Sequence, residues 1–117
     1  MLSKKNKIKR KEFPVVLKFK KNVFFNSKYA FLLIQKQYEK KPSKFSFVVS
    51  GKVSKKAVIR NRLKRRGYYV IRKILPDIKK GYIAVFFLKK EIIGIPYVEF
   101  EKQILFLLKK SKLLNNI

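Results

Sequence analysis

The sequence predicts an α+β fold in which helices pack on one sheet. Three observations carry that reading. Apolar runs of strand length recur at Tyr29 to Gln35, Phe45 to Val49 and Tyr82 to Leu88. Runs of that length between polar loops are buried strands. A long stretch from Ser54 to about Leu75 has the 3.6-residue period of a helix, and a second helical segment opens at Gly94 to Pro96. Strands followed by helices, without regular alternation, give one sheet with helices on it. The 117 residues suit a single domain, 1–117, with no repeat or linker.

The elements follow in order. Residues 1–11 form a polar, basic arm, expected to be mobile in isolation. Glu12 to Lys18 can form a short helix with Phe13 and Leu17 on one face at i, i+4. Pro14 is tolerated there only in the first turn. After the first strand, Lys36 to Lys44 is a loop containing Pro42, and Phe45, Phe47 and Val49 alternate along the second. Ser50 to Val53 is a turn, and Ser54 is the expected N-cap of the long helix. Pro76-Asp77 ends that helix and Lys80-Gly81 turns into the third strand. Pro96 takes the first position of the last helix, whose apolar stripe is Tyr97, Phe100, Ile104 and Leu107/Leu108. The tail, 112–117, is expected to fray.

Charge is the outlying feature: 32 Lys plus Arg stand against six Asp plus Glu, a net of +26. A folded domain with that charge repels itself unless a polyanion is at hand, and nucleic acid is the usual one. The first 75 residues hold 24 of the basic side chains and two acids, Glu12 and Glu39. The polyanion is therefore expected to meet the first two thirds of the chain. There are no Cys and no His residues, which removes disulfides, thiolate nucleophiles, imidazole bases and the usual zinc ligands. No segment reads as a signal peptide and no apolar run approaches the ~20 residues of a membrane span, so the expectation is a cytoplasmic protein without membrane contact.

Lysine is a weak marker here, because 26 Lys against six Arg can reflect coding bias alone. The arginines say more. Four of the six, Arg60, Arg62, Arg65 and Arg66, fall within seven residues, and a guanidinium grips phosphate bidentately where an ammonium cannot. Wound as a helix, Ile59, Leu63, Gly67, Val70 and Ile74 form a narrow core stripe. Gly67 costs such a helix about 1 kcal/mol relative to Ala, a cost that closer approach to the sheet would offset. Arg60, Asn61, Arg62, Lys64, Arg65 and Arg66 cover the rest. Charge runs are usually solvated surface, but no acid lies between Glu39 and Asp77 to pair with this one. Like charges at i, i+4, as in Arg60/Lys64 and Arg62/Arg66, oppose the helix unless phosphates lie along it.

The run Ala57-Val58-Ile59-Arg60-Asn61-Arg62-Leu63-Lys64-Arg65 closely resembles the signature of the bacterial ribonuclease P protein family. The resemblance extends from about Ile8 to Lys110. It implies a four-stranded sheet with a left-handed β-α-β crossover, related to a ribosomal-protein fold, and so a fourth strand, at Val23 to Phe25 or near Phe45. It implies that Lys52, Lys56, Arg60, Asn61, Arg62, Lys64, Arg65 and Arg66 face a catalytic RNA. It also implies a cleft for the single-stranded 5′ leader of precursor tRNA, to which Phe13, Leu17, Phe45 and Phe47 are assigned. Aromatic rings beside a basic groove are how single-stranded RNA is generally held. No residue of the chain is expected to be catalytic or to bind a metal. The Mg²⁺ that drives hydrolysis is expected to be held mainly by the RNA, with no obligate protein partner. The chain departs from the family pattern at three places. Lys55-Lys56 replaces Gly-Asn, Leu17 replaces an aromatic, and Arg66-Gly67 with Tyr68-Tyr69 replaces an aliphatic pair and Arg-Glu or Arg-Gln.

Competing readings are a ribosomal protein of similar size and charge, a stand-alone nuclease and a polybasic membrane-surface protein. The nuclease is disfavoured by six scattered acids and the lack of His and Cys. The membrane reading is disfavoured by a narrow apolar helix face interrupted by Gly67.

Overall fold

Short runs of aromatic and branched residues build four strands: β1 (Val23–Asn26), β2 (Ala30–Lys36), β3 (Lys44–Val48) and β4 (Tyr82–Leu88). Two helices accompany them, α1 (Ala57–Ile74) and α2 (Tyr97–Lys110). The structure, a computed structural model, describes residues 4–8, 22–37 and 41–114. The expected helix at Glu12 to Lys18, with Phe13 and Leu17, lies outside the described residues.

The strands form one mixed sheet in the order β1-β2-β4-β3. β1 pairs antiparallel with β2, β2 pairs antiparallel with β4, and β3 runs parallel to β4. A parallel pair cannot be closed by a tight turn and needs a crossover, which α1 supplies between β3 and β4. The fourth strand implied by the resemblance is β1.

Strand alternation divides the sheet into two faces. Ala30, Leu32, Ile34, Phe45, Phe47, Ala84, Phe86 and Leu88 are buried on one, where Leu63, Val70 and Ile71 of α1 and Phe100, Ile104, Leu107 and Leu108 of α2 meet them. The opposite face carries a smaller cluster of Leu33, Ile83 and Val85, with Ile8, Val48 and Phe87 packed against it. β4 is thus apolar on both sides, which is why Tyr82 to Leu88 reads as a continuous run rather than an alternation.

Gly67 explains how α1 sits. A Cβ there would lie 2.5 Å from the Phe47 ring. That ring stacks on Phe86, with centroids 4.8 Å apart and planes 7° from parallel, and Tyr68 meets it edge-on at 5.2 Å. The glycine lets the helix backbone rest on a buried aromatic. Close approach is therefore the compensation for its poor helix propensity.

Several boundaries differ from expectation. Ser54 is not the N-cap. Lys56 occupies that position without a side-chain cap, and α1 starts at Ala57. Ser54 Oγ instead accepts from the Lys56 N–H at 3.2 Å, a local bond of the kind that competes with helix capping. Pro96 is the N-cap of α2, not its first residue. The basic arm is docked over part of its length: Lys7 bridges Phe45, and the Ile8 N–H donates to the Phe45 carbonyl at 3.2 Å. Asn6 is buried, with Nδ2 donating to the Ser43 carbonyl at 2.9 Å. Ser43 ties that corner together, since its hydroxyl donates to the Lys79 carbonyl and accepts from the Tyr82 N–H. The tail is also docked to Leu114, because Leu113 and Leu114 are buried and Leu114 bridges Ile78. Apolar residues at 113 and 114 keep the chain on the core after a left-handed turn at Lys112, φ 64°.

Candidate nucleic-acid interface

The eight basic and amide residues singled out in the sequence gather along α1 and the loop that leads into it. Lys52 and Lys56 are exposed in the loop, and Asn61, Arg62 and Arg65 are exposed on the helix. Lys64 and Arg66 are half-buried at the flanks of that face, where long stems lie along apolar surface while the charged heads reach water. The opposite side of the helix is the core seam of Leu63, Gly67, Val70 and Ile71. The seam is wider than the expected stripe by Ile71, which is fully buried.

Arg60 differs from its neighbours. It is half-buried, and its guanidinium donates to the Ser54 carbonyl at 2.8 Å. It therefore holds the loop against the first turn of α1, with further donors left over. Among the described residues, Asn61, Arg62 and Arg65 have no hydrogen-bonding or ionic partner. Their donors are uncommitted and face outward.

Asn61, Lys64, Arg65 and Tyr68 line an open concavity of about 290 Å³. Their i, i+3, i+4, i+7 spacing places them on adjacent turns of one face. The Lys7 ammonium lies 4.8 Å from the centre of the Tyr68 ring, which joins the docked arm to the basic face. At the far end of α1, Lys73 pairs with Glu101 of α2 at 2.7 Å. That hydrogen bond raises the lysine above its ordinary range, and burial raises the Tyr97 hydroxyl beside it. Both groups therefore keep their protons at neutral pH.

The assigned cleft residues fare differently. Phe45 and Phe47 are 0 % and 2 % exposed. They lie on the helix-covered face and form core, so they offer no ring to a ligand. Phe13 and Leu17 lie outside the described residues. The opposite face carries aromatics that the sequence reading passed over. Phe24 and Phe31 stack with centroids 5.2 Å apart, and Phe87 follows at 6.1 Å from Phe31. The signal was present in the sequence: Phe31 is out of phase with Leu32, and Phe86-Phe87 places one ring on each face. Period-2 alternation separates two faces without saying which one the crossover helix covers.

Among the described residues, no group of three or more His, Cys, Asp or Glu side chains could hold a metal ion. Glu101 is paired with Lys73, and Glu99 accepts from Gln103 at 2.9 Å. No helix among the described residues is long and apolar enough to cross a membrane.

A family model described as Ribonuclease P matches residues 2–112. Among curated relatives, the ribonuclease P protein component of Microcystis aeruginosa is 40 % identical over 74 residues, covering 63 % of this chain and 62 % of the relative. The same component of Synechocystis is 44 % identical over 62 residues, covering 53 % and 50 %. The matches thus span about half to two thirds of the length of these relatives. Two solved structures share the fold. The RNase P protein of Staphylococcus aureus superposes with a TM-score of 0.82 at 18 % identity, covering 94 % of this chain and 98 % of that one. The RNase P protein of Thermotoga maritima superposes with a TM-score of 0.77 at 25 % identity, covering 89 % and 96 %.

Proposed function

The chain belongs to the ribonuclease P protein family, and on that premise we propose that it is the protein subunit of a ribonucleoprotein that removes the 5′ leader of precursor tRNA in the cytoplasm. Its role is to bind, and the chemistry belongs to the RNA. The observation that carries this reading is the outer face of α1, where Asn61, Arg62 and Arg65 present uncommitted donors in a stretch without acids. Guanidinium forks and a neutral amide at helical spacing match phosphate oxygens and an exposed base edge.

Two surfaces then divide the work. The α1 face, extended by Lys52 and Lys56, holds the catalytic RNA. The sheet face with Phe24, Phe31 and Phe87 receives the unpaired leader by stacking. Positive charge on the α1 face lets two polyanions approach at lower Mg²⁺ than they otherwise require. The ions would be held mainly by the RNA.

Affinity for a bacterial ribonuclease P RNA transcript, set against a ribosomal RNA fragment of equal length over a range of salt, tests the reading. Tighter binding to the ribonuclease P RNA at every salt concentration supports it, and preference for the ribosomal fragment moves the protein to the ribosome. The leader surface has its own expected result. Phe31→Ala with Phe87→Ala should weaken binding of leader-bearing precursor tRNA to the assembled enzyme by about 1–3 kcal/mol per lost base stack. Affinity for mature tRNA should not change. An equal loss for both RNAs would remove the leader from this face.

A further inference from the structure

We propose that Tyr69 is a stacking platform for an unpaired nucleotide of the RNA partner, with Arg66 and Arg72 as its phosphate contacts. The proposal rests on the RNA-binding reading above and extends it along α1, beyond the part that resembles the family signature.

Tyr69 is 56 % exposed, although it lies in the middle of a helix whose other side is core. With 3.6 residues per turn it falls on the same outward stripe as Arg62, Arg65 and Arg72. It sits one turn beyond Arg65 and one turn before Arg72, so its ring is flanked along the helix by guanidinium groups. Tyr69, Arg72 and Lys73 line an open concavity of about 290 Å³, ample for a base.

The ring is held in place. Tyr97 of α2 meets it edge-on, with centroids 6.0 Å apart and planes 66° from parallel. An edge contact fixes orientation while leaving ring surface to solvent. A tyrosine already held this way loses little freedom on binding, because it has only two side-chain torsions. The Tyr97 hydroxyl is buried without a hydrogen-bonding partner among the described residues. A polar atom left in that state is completed by a ligand edge or by an ordered water beside it.

Charge decides the class of ligand. The nearest acid, Glu101, is neutralised by Lys73 at 2.7 Å, so it does not repel a phosphate. Arg66 and Arg72 have no such partner among the described residues. A π-face between guanidinium groups suits a nucleobase with its phosphates. It does not suit an acidic peptide, which has no flat group to stack. If Tyr69 served only to pack α1 on α2, its replacement would alter stability and leave RNA affinity alone.

The chain has no Trp, so Tyr69→Trp introduces a single indole at the site, which can be excited at wavelengths where the tyrosines do not absorb. The intact variant, titrated at low salt with a five-residue oligoadenylate, is expected to show saturable quenching. Inorganic tripolyphosphate, which brings charge without bases, is expected to leave emission unchanged. Equal quenching by both would reduce the site to a charge effect and overturn stacking. Absence of quenching, while anisotropy of a labelled oligoadenylate shows binding, would overturn it as well. In parallel, Tyr69→Leu should weaken ribonuclease P RNA binding about 5- to 20-fold with the urea midpoint unchanged. Unchanged affinity would again sink the proposal. If the unaltered protein failed to bind that RNA, the wider functional reading would fall instead.

Discussion

Arg62→Ala combined with Arg65→Ala is expected to weaken binding to ribonuclease P RNA about 10- to 100-fold near 0.1 M salt. It should also lower the slope of log affinity against log salt by about 1.4 to 1.8, two phosphate contacts at ~0.7–0.9 each. Both side chains are exposed and make no hydrogen bond or ion pair among the described residues, so their removal takes little from the fold. The expected urea midpoint is that of the unaltered protein. Arg62→Lys with Arg65→Lys should restore the slope and only part of the affinity, because an ammonium keeps the charge and loses the fork. Arg60 is a poorer probe. Its guanidinium also holds the Ser54 carbonyl, so Arg60→Ala would mix loss of an RNA contact with loosening of the loop. A double variant with full affinity and an unchanged slope would remove the RNA from this face of α1.

The second large effect concerns stability. In an open helix Gly67→Ala would be favourable by about 1 kcal/mol. Here the new Cβ would meet three atoms of the Phe47 ring at 2.5 to 2.6 Å. That ring has nowhere to go, with Phe86 stacked on one side and Tyr68 against its edge. Overpacking of this kind costs about 1–3 kcal/mol and reverses the gain from propensity. Denaturant unfolding of Gly67→Ala should therefore show a net loss of stability, expected near 2 kcal/mol, with the slope unchanged. Adding Phe47→Leu, which removes the ring, should recover part of it. A midpoint equal to or above that of the unaltered protein would mean that the helix does not rest on Phe47.

What could be read from the sequence follows from where physical constraints are local. The three long strands and both helices were legible because burial imposes a period, and periods survive in one dimension. Gly67 was legible as a close approach because nothing else justifies glycine in a core stripe. The exposed basic face of α1 was legible because a run of arginines with no acid nearby in the sequence has to turn outward. What failed depends on contacts between distant segments. The choice of sheet face for Phe45 and Phe47 is set by the path of the crossover, which alternation does not encode. The docked arm depends on Asn6 meeting Ser43, 37 positions away, and a lysine-rich string gives no hint of that. The tail, 112–117, was expected to fray, yet Leu113 and Leu114 return to the core beside Ile78. Ser54 was expected to cap α1 from its residue type alone. Its side chain is committed to the Lys56 N–H instead, and the helix begins two residues later than that cap would have set it.

The role proposed for this chain is to assist an RNA that cuts precursor tRNA. The direct measurement is cleavage of a 5′-labelled precursor tRNA at low Mg²⁺ by a bacterial ribonuclease P RNA, with and without the protein. Release of the intact leader, with the mature 5′ end formed, is expected only when RNA and protein are both present. Cleavage by the protein alone would contradict it by placing a nuclease in the chain. So would the absence of stimulation across several ribonuclease P RNA types to which the protein demonstrably binds.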